Sequence, residues 1–222
     1  MSRLIHILIF ALMLLMAFWL RVYNLVESPP GMSNDEAIYL VDTFNVARGG
    51  TFTWFEHGRP EPGFQLILST TTRFFGGDPF AVRLTPIFLS LLTIATVYLA
   101  TIQVLYDRPR AHRQFAGLVA SGTLMTSLGF ITLSRAIERG VPQILFMALF
   151  IGALALFGRK KRPRDAIFAG VALSGTIYFY TAGLALPAVL APIGLWFVLF
   201  QPRKWREWLP RFVLMGVIVA IL

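Results

Sequence analysis

The chain alternates between long uncharged runs and short clusters of charge. Residues 4–20 are apolar and bounded by Arg3 and Arg21, and residues 84–105 form a 22-residue run without a charge. Residues 115–133 and 141–158 repeat the pattern, the latter ending at RKKRPR (159–164). Crossing about 30 Å of hydrocarbon takes roughly 20 mostly apolar residues as a helix, so each run is long enough to span a bilayer. The first run has no small-x-small cleavage site after it, and Phe18, Trp19 and Tyr23 suit an interfacial anchor, so it reads as an uncleaved helix. Residues 166–200 hold no charge. At 1.5 Å per residue this run reaches about 50 Å, too far for one crossing. Two helices turning near Thr181, Ala182 and Gly183 fit better, with Pro187 and Pro192 distorting the second. Residues 212–222 are apolar to the end of the chain, which reads as a span cut short in the N-terminal part of a longer protein. The pattern predicts spans at about 4–22, 84–105, 115–133, 141–158, 166–181, 184–200 and 212–222, with a long loop over about 24–80.

Between the first two spans the loop changes character. Ser33 followed by Glu36 is a capping box, and the Pro29-Pro30-Gly31 turn precedes it, so a helix is expected from there to about Arg48, stopped at Gly49-Gly50. Ala37, Leu40, Val41 and Phe44 fall on one face and Asp35 and Asp42 opposite, the pattern of a helix lying on a membrane surface. Residues 63–75 are apolar but too few to cross, which reads as a second interfacial or re-entrant helix.

Composition agrees with the spans. Of 222 residues, 56% are hydrophobic and 14% charged, and the mean hydropathy is +0.68; soluble domains carry about 25% charged residues. The net charge of +9 would fit a nucleic-acid binder, but the basic residues lie between apolar runs rather than on one wet face, so no nucleic-acid partner is expected. With no cysteine, disulfide scaffolds and thiolate metal sites are excluded. Arg3 and the clusters at 106–113, 159–165 and 202–211 hold 13 basic and 3 acidic residues, against 7 basic and 8 acidic in residues 21–83 and 134–140. Basic loops stay inside, so the N-terminus is expected in the cytoplasm and the 24–80 loop outside the cytoplasmic (inner) membrane. The basic clusters would also touch anionic membrane lipid.

Candidate chemistry concentrates on that outer side. Asp35 and Glu36 sit at a helix start, where they cap the helix and complement its dipole, or act on a substrate. Glu56, His57 and Glu61 offer the oxygen and imidazole donors that a divalent metal ion takes. Arg135 and Arg139, four apart with Glu138 between them, are either interfacial anchors or a clamp for phosphate oxygens. Tyr178, Phe179 and Tyr180 are belt aromatics or the lining of a sugar or lipid site.

The ordered series PPG, NDEA, ARGG, GRPEPGFQLIL, FGGDPFAVRL, TLSRAIERG and YFYTAGLALP resembles bacterial polytopic glycosyltransferases of the GT-C fold. The likeness is to the dolichyl-phosphate-mannose protein mannosyltransferase-like group, which includes aminoarabinose and other lipopolysaccharide sugar transferases, and it covers about residues 5–200. The resemblance implies an all-α polytopic membrane protein, a GT-C-like helix bundle with interfacial helices in its first outer loop. It places the acidic catalytic motif on Asp35 and Glu36, with Asn34 where the family usually has histidine. Arg59, Glu61 and Pro62 would line the site, and Arg135, with Arg139 second, would be the arginine that follows the third span. The implied activity transfers a sugar from a polyprenyl-phosphate donor to a glycan, lipid or protein acceptor, by direct displacement with inversion. No organic cofactor is required; a divalent metal ion stays open. A transporter or flippase would place ionisable groups inside its spans, and a non-catalytic assembly factor could share the fold.

Overall fold

The protein's computed structural model describes residues 3–50, 62–200 and 202–221, and among these every regular element is helical. Helix α1 (Arg3–Val22) is followed by two helices of the long loop, α2 (Asn34–Ala47) and α3 (Pro62–Phe75). Then come α4 (Pro79–Val104), α5 (Arg110–Thr126), α6 (Leu128–Arg135), α7 (Gly140–Lys160) and α8 (Pro163–Phe179). A 3-10 turn at Thr181–Leu184 leads into α9 (Ala185–Phe200), and α10 (Pro202–Ile221) completes the described chain. Helix α4 packs along α5 and α7, α7 along α8, and α8 along α10.

Among the described residues three helices are long and apolar enough to cross a membrane, α1 from Leu4, α4 and α7, or four with α5 and α6 counted as one bent span. The break expected near residues 181–183 is present as the 3-10 turn. The single span expected over 115–133 is instead bent by 60° between α5 and α6. Ser127 is the cause: its Oγ accepts from the Phe130 N–H at 3.4 Å and restarts the helix in a new direction.

Lipid is the solvent this surface fits. Leu12, Leu15, Phe115 and Val189 are each more than 60% exposed, an apolar area that water would not tolerate. Hydroxyls within the helices donate to carbonyls of the preceding turn, as Thr93 does to Leu89, Thr101 to Val97 and Ser121 to Gly117, leaving few polar groups unmet in hydrocarbon. Arg21, expected to mark the water end of the first span, is fully buried. It donates to Ala17 O and Met125 O and lies 5.3 Å from the Phe130 ring centroid, which pins α1 to α5 and α6.

The loop helices dock on the bundle through close approaches. A Cβ at Gly63 would meet the Tyr178 ring at 2.6 Å, so glycine is what lets α3 lie against the end of α8. A cluster of Tyr39, Phe64, Leu68, Val82, Ile137 and Phe179 fills the space between α2, α3, α4, α8 and the 136–139 connection. Gly63→Val is therefore expected to destabilise the protein by about 2 kcal/mol, the usual cost of overpacking. Gly129→Ala, whose Cβ meets nothing within 4 Å, should leave stability unchanged; thermal unfolding in detergent checks both.

Candidate functional site

Helix α2 carries its polar face inward. The capping box forms as expected, with Glu36 N–H donating to Ser33 Oγ at 3.2 Å and Ser33 N–H donating to Glu36 Oε2 at 3.0 Å. The helix ends at the expected place, with Arg48 as its C-cap and Gly49 at φ +88. The buried residues are Glu36, Tyr39, Asp42 and Thr43, while Ala37 and Val41 are exposed. Burying this face is affordable because its charge finds partners.

Those partners come from two other segments. Arg83, in the second turn of α4, donates from Nε to Glu36 Oε1 at 3.1 Å and from Nη2 to Glu36 Oε2 at 3.0 Å, the two-pronged match of guanidinium to carboxylate. Its remaining donors reach Pro29 O and Gly31 O at 3.3 and 2.5 Å. The Ile137 N–H, between α6 and α7, donates to Glu36 Oε1 at 3.0 Å. Burial alone would raise the Glu36 pKa, but Arg83 and the Ser33 and Ile137 N–H groups outweigh it and hold the carboxyl below its ordinary value. Both oxygens of Glu36 are thus committed to holding the loop, α4 and the 136–139 connection together.

Its neighbour Asp35 is exposed. It lies close enough to Glu138 for their charges to interact. Glu138 is half-buried, and its pKa is raised by burial and by the Asp35 and Glu36 charges, with Arg139 opposing. Arg139 lies over two rings, 4.7 Å from the Tyr180 centroid and 5.9 Å from that of Tyr39. Two carboxylates and a guanidinium therefore meet at one end of the bundle, over a floor of Tyr39, Phe64 and Phe179. Such a place can accept a proton and bind an anion side by side.

Arg135 is placed differently from Arg139. Its guanidinium donates to the carbonyls of Leu20, Arg21, Tyr23, Asn24 and Ser28 at 2.6–3.3 Å, satisfying the C-terminal end of α1. Glu56, His57, Arg59 and Glu61 lie outside the described residues, and of Pro62 only the backbone is described. No three His, Asp or Glu side chains gather as metal donors among the described residues.

Arg83 and Tyr39 are candidate site residues that the sequence reading did not single out, and Glu138 entered it only as the charge between Arg135 and Arg139. Arg83 had a signal, a single charge at the head of an apolar run, which inside a bilayer implies a partner. Glu138 and Tyr39 had none, because only the folded chain brings the 136–139 connection, α2 and α8 together.

A family model described as dolichyl-phosphate-mannose-protein mannosyltransferase matches residues 58–222. That range holds Arg83, Glu138, Arg139 and Tyr180 and begins after Asp35 and Glu36. No curated protein and no solved structure matches the chain.

Glu36→Gln would strand the buried Arg83 charge, and breaking one partner out of a buried pair costs about 3 kcal/mol. A carboxyl with a depressed folded pKa adds stability above its unfolded pKa and loses it as pH falls through the folded value. Thermal midpoints measured against pH should fall on the acid side in the native protein, and that fall should be smaller in Glu36→Gln.

Proposed function

The chain belongs to the dolichyl-phosphate-mannose-protein mannosyltransferase family, and from that premise we propose that it transfers a sugar from a polyprenyl-phosphate donor to a hydroxyl acceptor on a protein, lipid or glycan. Membership makes it a membrane glycosyltransferase of the GT-C type. The observation that carries the finer reading is the meeting of Asp35, Glu138 and Arg139 at the end of the bundle that carries the long loop. The bias of basic residues to the opposite end supports a location of this end on the outer face of the cytoplasmic membrane.

The roles follow from the chemistry. An alcohol is too weak an acid to ionise before it reacts, so its proton must leave as its oxygen bonds to the anomeric carbon. Asp35, exposed and close to Glu138, accepts that proton. The bond from the anomeric carbon to the phosphate oxygen breaks in the same step, its electron pair stays on the phosphate, and Arg139 neutralises the charge that develops. Attack from the side opposite the leaving group inverts the sugar carbon. Glu36 takes no proton in this scheme; it positions Asp35 through the clasp with Arg83. Arg135 is likewise a positioning residue, holding the 136–139 connection against α1. Tyr39 and Tyr180 keep Arg139 in place and present ring faces to sugar or prenyl groups.

Asp35→Asn should lower the transfer rate at least about a hundredfold, the scale of a lost general base, with an unchanged thermal midpoint because Asp35 is exposed. The assay uses membranes of the full protein offered polyprenyl-phosphate sugars and, separately, nucleotide sugars. Full activity in Asp35→Asn would remove the proposed base, and turnover of nucleotide sugars alone would remove the proposed donor.

A further inference from the structure

At the opposite end of α4 from Glu36 lies a cavity of about 630 Å³ between α1 and α5, lined by His6, Ile9, Arg110, Ala111, Gln114 and Phe115, with Leu118 deeper. We infer that it holds a membrane phospholipid with an acidic headgroup, its phosphate at Arg110 and the start of α5, and one acyl chain along Ile9, Phe115 and Leu118.

Three observations converge on that occupant. The first is an unmet polar atom. His6 is only 6% exposed and lines the cavity, and its Nε2 pairs with the Tyr98 hydroxyl, yet its Nδ1 has no hydrogen-bond partner. In the tautomer in which Tyr98 donates to Nε2, the ring proton sits on Nδ1 and meets an acceptor such as a phosphate oxygen. The second is the start of α5. Its N-cap is Pro109, with no side chain capping the first turn, so the N–H groups of Arg110 and Ala111 and the positive end of the helix dipole meet an anion placed there. The third is the arginines themselves. Arg113 and Arg159 both lie over the Tyr106 ring, and Arg159 donates to Gln103 at 2.8 Å. Arg110 is exposed at the cavity wall and makes no hydrogen bond or ion pair among the described residues.

A free anion would leave the apolar wall uncovered. Phe115 is 70% exposed beside the cavity and Leu8 52% exposed on the same stretch of α1, and both belong to segments that lipid surrounds. A charged head joined to an apolar tail matches both parts of the cavity. The site is separate from the Asp35 and Glu138 cluster, so its test does not depend on the transfer reaction.

The test uses the full chain in detergent, titrated with a phosphatidylglycerol, with a phosphatidylcholine of the same acyl chains, and with inorganic phosphate alone, and follows bound lipid by native mass spectrometry. The native protein should retain one phosphatidylglycerol in preference to phosphatidylcholine. Arg110→Ala should weaken that binding about tenfold, the scale of one charge-assisted contact. Ala111→Trp, which fills the cavity from an exposed position, should weaken it as much, while Arg164→Ala, at the remote start of α8, should not. Equal losses in Arg110→Ala and Arg164→Ala, equal retention of the two lipids, or full competition by inorganic phosphate would each overturn the assignment.

Discussion

The end of this bundle that carries the loop helices is organised around one carboxylate. Glu36 is 1% exposed, and its two oxygens accept from Arg83 twice and from the Ser33 and Ile137 N–H groups. A buried ion pair is seldom a net source of stability against an apolar replacement. Its use here is geometric. It ties three segments distant in sequence to one point, beside the apolar cluster that packs the loop helices on α4 and α8.

The consequence is a division of labour between adjacent residues. With Glu36 turned inward, the helical rotation turns Asp35 outward, at the uncovered start of α2. The same Ile137 N–H that meets Glu36 sits one residue before Glu138 and two before Arg139, so the clasp delivers both to Asp35. Aromatic rings then limit where Arg139 can go, through Tyr39 on α2 and Tyr180 at the end of α8. Gly63 lets α3 close against Tyr178 and complete the floor. The placement of Asp35, Glu138 and Arg139 thus traces back to packing and hydrogen-bonding requirements of the loop helices.

Much of this was legible in the sequence, and what was not has physical causes. Uncharged runs announced the long helices, because hydrocarbon demands them. The capping box, the stop at Gly49 and the turn at 181–184 are local chemistry and appeared where they were expected. Burial of Glu36 on α2 was not legible because a helical pattern of apolar residues assumes that charge faces water, whereas Arg83 makes its burial tolerable. The bend at Ser127 was missed because Ser127 sits within an otherwise continuous apolar run. Arg135 and Arg139 looked equivalent at four-residue spacing, but one meets the carbonyls at the end of α1 and the other lies on tyrosine rings. Such distinctions depend on long-range partners, which no local pattern encodes.

The Glu36 clasp brings α2 and the 136–139 connection together. The chain has no cysteine, so Asp35→Cys and Glu138→Cys can be introduced as a lone pair and joined by a short thiol-reactive cross-linker in membranes. Joining should be efficient when Glu36 is present and lost when Glu36→Gln is added. Joining that is unaffected by Glu36→Gln, or absent in the chain that retains Glu36, would contradict it.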